Sequence, residues 1–476
     1  MIKIFYRSSI SLIILLLIVV VYLSTIGFKT EKFNSKIISQ IQQIDSNIKI
    51  KLNDVKIKLD PFNLRINAKT IGTDLIYRNK ILKIETIKSK ISIKSFLNDK
   101  FSLAEISIST KPLEIKDLIT FVRSLNNNSK LFIAEQLIKK GYIIADIKLE
   151  FDETGKINKN YKLNGLVKNG KISLLKKYDL NKIDFLFEID EKALKFNDIK
   201  ISQNNNNILI PELIAVKQKN EYLISGKLIS KNTSLTKNEI FNFINDDFRE
   251  LDIQEISFSS KNDFKFKINK NFKINGLDIN SDIDLEKFKF KNVLKLKNIF
   301  PKIKEFFIFK NQKLRLEYKK GDLKISGKGD VLFQNEIDKI VYKIHQKNNE
   351  VNFDTKLKIT NNAFQINLLD FKKDEKSELD LNFIGKKDIK GKLVFSEIYF
   401  KEKNNVFSIK NLILSNNNKI DEIGNININY DDKKNFKNDL KLIKQSNNYL
   451  VSGNSLNINK IIDELLDSKN NKKISI

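Results

Sequence analysis

The chain has no cysteine and no tryptophan, one histidine, one methionine, 4 prolines and 15 glycines among 476 residues. Each scarcity removes a class of chemistry. Without cysteine there is no disulfide scaffold, no thiolate zinc site and no thiol nucleophile. A single imidazole, His345, excludes every two-histidine metal motif, and no G-x-S-x-G elbow accompanies it to carry a nucleophile. Arginine is also sparse, at Arg7, Arg65, Arg78, Arg123, Arg249 and Arg315. Specific recognition of phosphate and guanine leans on the forked guanidinium, so no nucleic-acid partner is expected despite a net charge of +28.

What is present is lysine, asparagine and aliphatic residues. Hydrophobic residues make up 41% of the chain, which excludes wholesale disorder. The lysines stand mostly at alternate positions inside apolar segments and form no dense run. They read as the solvated face of strands.

One long hydrophobic run stands at the start. No charged residue occurs between Ser8 and Phe28, and the anchor candidates are Ile10 and the continuous run Leu12-Ile13-Ile14-Leu15-Leu16-Leu17-Ile18-Val19-Val20-Val21. Twenty-one residues at about 1.5 Å each cover about 31 Å, enough to cross a hydrocarbon core. Lys3 and Arg7 precede the run, and only Thr25-Ile26-Gly27 offers a weak cleavage-like site. The expectation is an uncleaved single-pass anchor in a bacterial inner membrane, with the bulk of the chain in the periplasm.

Phe33, Ile37, Ile38, Ile41 and Ile44 then recur at helical spacing. From Ile48 the period becomes two, as in Val55-Lys56-Ile57-Lys58-Leu59, and Asp60-Pro61-Phe62-Asn63 supplies a turn. The same alternation returns at Ile87 to Ile93, Ile143 to Phe151, Phe264 to Ile268, Phe288 to Phe290, Leu314 to Tyr318, Leu357 to Ile359, Leu379 to Phe383 and Ile426 to Tyr430. Helices are expected at Leu113 to Leu125, Lys130 to Lys140, Lys237 to Phe248, Pro301 to Phe309 and Leu456 to Leu466. A weak L-x-(x)-S-G repeat ends at Gly226, Gly327 and Gly453.

The motif search yields no chemistry. Gly165 to Lys171 has the glycine and lysine spacing of a phosphate loop, but Ile172 replaces the required hydroxyl and Asn169-Gly170 reads as a hairpin turn. The row Asp278, Asn280, Asp282, Asp284 and Glu286 lacks the glycine and the final glutamate of a calcium loop, and alternation puts it on one strand face. Asp246, Asp247, Glu250 and Asp252 read as a solvated acidic cluster. No catalytic residue, metal or cofactor is expected, and the chain is not expected to be an enzyme.

A resemblance adds direction. The anchor is followed by Phe33-Asn34-Ser35-Lys36-Ile37-Ile38-Ser39-Gln40-Ile41, the strand ending Leu59-Asp60-Pro61-Phe62-Asn63-Leu64, Ile84 to Leu97, and Phe101 to Ile115. This succession resembles the start of AsmA-like proteins, the inner-membrane-anchored periplasmic group that includes TamB- and YhdP-like members. The resemblance implies a mainly β fold: an N-terminal transmembrane helix, then an elongated, curled antiparallel β-groove with a few short helices. Its implied divisions are an anchor over 1–28, an AsmA-like N-terminal region over 29–125 and a repetitive sheet region over 126–476. Its implied function is phospholipid transport between inner and outer membranes in support of outer-membrane integrity. Phospholipids and an outer-membrane or periplasmic protein are the partners. Acyl chains are then expected against Ile57, Leu59, Ile91, Ile93, Phe264, Phe266, Ile268, Phe288 and Phe290. The competing expectation is a non-enzymatic structural factor, or one for outer-membrane protein assembly, built of closed β-modules.

Overall fold

The structure is a computed structural model of the chain and describes residues 2–31, 34–35, 38–39, 42, 47–77, 80–93, 103–125, 136, 138–151, 161–174, 178–203, 206–243, 252–269, 271, 273–293, 296–415, 419–446 and 448–470. Most of the helical pattern from Phe33 to Ile44, most of Lys130 to Lys140, and Asp246, Asp247 and Glu250 lie outside the described residues. Twenty-five of the strands belong to one antiparallel sheet, and the chain divides into two compact units, Met1–Gly226 and Lys227–Ile476.

The first unit begins with helix α1 (Ile2–Thr25), whose stretch Lys3–Thr25 is long and apolar enough to cross a membrane. Its side chains are unburied by the rest of the protein, as a lipid-facing segment requires. The helix ends at Gly27, which has φ +68° and whose N–H donates to the Tyr22 carbonyl at 3.1 Å. This left-handed residue closes the helix and turns the chain at once into strand β1 (Phe28–Thr30). β1 pairs with β3 (Val55–Asp60), Phe28 opposite Ile57. The Thr25-Ile26-Gly27 segment is therefore a helix cap built into the sheet.

Strands β2 (Ile48–Lys51) and β3 share one side of β4 (Arg65–Tyr77). The ladder continues through β5 (Lys80–Ser92), β6 (Leu103–Thr110) and β8 (Ile138–Glu150), with the short β7 (Leu113–Glu114) also on β8. β9 (Lys162–Leu174), β10 (Tyr178–Ile189), β11 (Ala193–Gln203) and β12 (Asn206–Gln218) follow as a meander. β13 (Glu221–Thr236) carries the division between the units. The expected helix from Leu113 exists as Ile115–Leu125.

The second unit holds β14 (Ile253–Asn269), β15 (Ile274–Lys291), β16 (Phe306–Lys319), β17 (Asp322–Leu332), β18 (Asp338–Lys347) and β19 (Glu350–Ile359). A separate small pair, β20 (Gln365–Ile366) and β21 (Phe371–Lys372), interrupts the meander. The main ladder resumes with β22 (Leu379–Lys387), β23 (Leu393–Glu402), β24 (Asn405–Leu414), β25 (Ile420–Asp431), β26 (Lys437–Gln445) and β27 (Asn448–Ser455). Helices Lys237–Phe243 and Asn459–Asn470 occupy the expected places.

Three expectations are corrected. Pro301 to Phe309 is not a helix: residues up to Glu305 form a loop and Phe306 opens β16. Its run of apolar residues comes from a strand covered on both faces, since Lys289 Nζ lies 4.6 Å from the Phe306 ring on one side while Phe307 packs on Phe290 on the other. Asn169-Gly170 is not a hairpin turn but lies inside β9, where Asn169 takes φ +52° and the pairing with β10 shifts register. The end of the helix expected over Lys130 to Lys140 is also strand, because β8 begins at Ile138.

The acidic row on β15 meets lysines and arginine strand by strand. Asp278 stands between Lys265 and Lys319, Asp282 between Lys261 and Arg315, and Asp284 opposite Lys313. Such cross-strand pairing of opposite charge accounts for the row without a metal. No group of three or more metal-ligating side chains occurs among the described residues.

Candidate functional site: the apolar sheet face

Alternation sends every second side chain of the second unit to one face, and the registers line these residues up across the strands. One row runs Ile283, Leu314, Gly327, Tyr342, Thr355, Phe383, Ile398, Ile409, Ile426 and Leu442 from β15 to β26. The next runs Leu316, Ile325, Ile344, Phe353, Gly385 and Phe395. Apart from Gly327, which is buried, these residues are half-buried.

Toward one end of the strands the same face is sealed. Ile359 and Leu379 are 0% exposed, and Phe364, Phe371, Phe400, Phe407, Ile428 and Tyr430 form a closed cluster with Phe300 and Phe333. Two segments outside the main ladder, around Phe300 and around Phe364 to Phe371, fold over this end and insert aromatic rings. Phe400 and Phe407 stack at 4.0 Å, and Phe364 meets Phe400 edge-on at 5.2 Å. Such ring pairs add about 0.5–1.5 kcal/mol beyond area burial.

The inserted segments also satisfy their polar groups. Buried Gln334 donates to the Ala363 carbonyl at 2.8 Å and accepts from Lys302 N at 3.2 Å. Asp338 accepts from Thr360 N and from Asn362 Nδ2, the latter at 2.7 Å. Burial pushes the Asp338 carboxyl above the usual carboxylate range, more than these bonds lower it. Lys373, pulled below its ordinary value by burial, donates to the Thr360 carbonyl at 2.5 Å and to that of Asp374 at 2.9 Å. Tyr430 Oη donates to the Leu369 carbonyl at 2.7 Å, fixing the segment before β21. With its backbone and side chains paired, this end is a plug.

Two glycines shape the face between. A Cβ on Gly327 would lie 2.5 Å from Tyr342 Cζ, and one on Gly385 would lie 2.9 Å from Phe353 Cζ. The missing side chains let these rings lie flat on the sheet. Burial pushes the Tyr342 hydroxyl up to about 12, so it stays a proton donor.

The nine groove candidates separate into four groups. Ile57 and Ile91, at 4% and 0% exposure, are packed in the closed core of the first unit with Val55, Ile84, Ile87 and Ile106, so they face protein and not a ligand. Leu59 and Ile93 are half-buried beside that core. Phe264, Phe266 and Ile268 are half-buried on β14, the first two rings 6.1 Å apart. Phe288 and Phe290 are half-buried, 5.1 Å apart, and pack on Phe309 and Phe307 at the margin of the plug. The half-buried residues of β17 to β25 and the plug itself were not singled out from sequence. Alternation marks the former; of the inserted aromatics, Phe300 and Phe364 sit outside strands and Phe371 in the two-residue β21, so they carry no period.

His345 sits in β18 with Nε2 2.9 Å from Asp322 Oδ1, a surface pair away from the apolar face. Gly165 to Ile172 lies within β9 with no helix following, so it cradles no phosphate. No protein family, curated protein or solved structure matches the chain.

Proposed function

We propose that the chain is an AsmA-like protein, anchored by α1 in a bacterial inner membrane with its bulk in the periplasm. The half-buried apolar face of the second unit receives phospholipid acyl chains for passage between inner and outer membranes. The protein is not an enzyme. The observation that carries this reading is the pair of apolar rows from Ile283 to Leu442 and from Leu316 to Phe395, which continue past the plug without cover among the described residues. Apolar surface on that scale is unfavourable in water and marks a binding face. Phe264, Phe266, Ile268 and the row from Ile325 to Phe395 are the acyl-contact residues, headgroups lie at the strand edges, and the lysine face stays in water.

The test is native mass spectrometry of the full chain extracted in mild detergent. Co-purifying phospholipid is the expected result. Its absence, where a known lipid carrier treated alike retains lipid, overturns the reading in favour of a structural or assembly factor. That second reading draws on the closed core around Ile57 and Ile91 and on edge strand β27, whose residues Asn448–Ser455 carry no charge to deter pairing with another protein.

A further inference from the structure

The chain turns on polar residues at Lys219-Asn220, Lys320-Gly321, Asn348-Asn349 and Lys403-Asn404, but between β3 and β4 it turns on Pro61-Phe62-Asn63-Leu64. Phe62 is 96% exposed, more than any other large hydrophobic side chain among the described residues. Leu64 is also exposed and takes the left-handed conformation at φ +49°. Every other described non-glycine residue of positive φ is Asn, Asp, Lys or Ser. For leucine this conformation is costly, because Cβ crowds the following carbonyl, whereas Asn adopts it readily. An apolar side chain thus stands here against the preference of the backbone, and strain of this kind gathers where a residue has a role.

The register shows which way the turn faces. Phe28 of β1 pairs with Ile57 and Thr30 with Val55, so β3 runs from Val55 to Asp60 back toward α1. β3 packs beside the helix end, where Gly27 closes on the Ile57 carbonyl. Three residues at about 3.3 Å each carry Asp60 about 10 Å past Ile57. α1 covers that distance in six or seven residues at about 1.5 Å each, so the turn stands at the level of Tyr22, inside the charge-free run from Ser8 to Phe28. The turn is closed on itself: Asp60 accepts from Asn63 N at 3.1 Å and from Asn63 Nδ2 at 2.9 Å, bonds that hold its carboxyl below the usual carboxylate range. The tip therefore presents Phe62 and Leu64, with Arg65 exposed at its base opposite Asp60.

The geometry points to a second membrane contact. With α1 across a bilayer, the reading on which this rests, the β3–β4 turn dips Phe62 and Leu64 into the boundary between headgroups and acyl chains, and Arg65 meets the phosphates. The occupant is the lipid that surrounds the helix, because helix and turn lie side by side and a separate partner would have to displace that lipid to reach the tip. The contact stands whether or not the second unit holds acyl chains.

The chain has no tryptophan, so single substitutions report depth without background. The full chain is reconstituted in vesicles of phosphatidylethanolamine and phosphatidylglycerol, with and without brominated acyl chains. Phe62→Trp should emit to the blue and lose most of its emission to the brominated chains. Tyr22→Trp, in α1, should be quenched as well. Ile81→Trp should not: Ile81 is exposed and pairs with Ile76, eleven residues or about 36 Å along β4 from Arg65. If Tyr22→Trp is quenched and Phe62→Trp behaves as Ile81→Trp does, the proposal is overturned and the anchor stands; if Tyr22→Trp is not quenched, both fall. Leu64→Asn, added to Phe62→Trp, should reduce the quenching while melting no lower in detergent, since Asn takes this φ more readily. Unchanged quenching with a lower melting temperature would make Leu64 a packing residue and remove it from the contact.

Discussion

The two ends of the apolar face in the second unit are made from the same strands and the same alternation, yet one is dry and the other half-open. At the plugged end Ile359 and Leu379 are fully enclosed and Phe371 is 1% exposed. A few residues along the same strands, Phe353, Phe383 and Ile344 keep part of their surface outside. The difference comes from the loops, because only the segments around Phe300 and from Phe364 to Phe371 supply rings to cover the sheet. A one-sided sheet is therefore a core only where something is laid on it.

Placing a charge at each end gives the largest expected contrast. Ile359→Asp buries an unpaired carboxylate and should unfold the second unit, at a cost of several kcal/mol. Phe266→Asp should leave the fold intact and abolish retained lipid. Circular dichroism with native mass spectrometry reads both, and unfolding by Phe266→Asp would break the contrast.

Truncation is the next test. Phe371→Ala should cost about 3–5 kcal/mol by denaturant titration, the range for deleting an enclosed aromatic ring. Phe264→Ala should cost about 1 kcal/mol, since part of its surface already faces solvent. An effect between these two is expected from Gly327→Val, where the new side chain displaces Tyr342; overpacking of this kind costs about 1–3 kcal/mol. It should leave protection of Thr360 at the plug unchanged in hydrogen exchange.

Acid should separate the ends most subtly. Asp338, in the plug, has its carboxyl raised by burial, so its charged form burdens the fold at neutral pH and the burden is relieved as pH falls through that raised value. Asp322, at the far end of β17, is also raised by burial but more strongly lowered by the hydrogen bond and charge of His345. Its contribution is present above the ordinary carboxylate value and is lost as pH falls through the lowered one. Hydrogen exchange corrected for intrinsic rate should therefore show Thr360 gaining protection and His345 losing it as pH is lowered into the acid range. The same direction at both sites would dissolve the distinction.

Much of the sheet was legible because its strands are wet on one side. Val55 to Ile57, Leu314 to Leu316 and Leu379 to Leu381 alternate in sequence and alternate in burial. Legibility failed where both faces are covered, as at Phe306 to Phe309, since an uninterrupted apolar run carries no period. It failed again at Asn169-Gly170, where a turn-forming pair serves a bulge inside a strand. The plug was invisible because Phe300, Phe364 and Phe371 act through long-range contact, and nothing local distinguishes them from any other phenylalanine between the long strands. For the candidate site, the alternation identified Phe264, Phe266 and Ile268 on the half-open face, but the enclosure of Ile57 and Ile91 depends on strands and a helix brought in from elsewhere in the first unit.

The joint at Gly27 gives the anchor a mechanical meaning. A Cβ there would fall 2.1 Å from the Ile57 carbonyl, and β1 begins at the next residue, so no slack chain separates the helix from the sheet. Bending or rotation of the helix end is transmitted to β3 as torque instead of being absorbed by a tether. Under the proposed anchoring the first unit is thus steered by the bilayer around the helix, and a flexible insertion after Gly27 would turn a rigid mast into a buoy on a line.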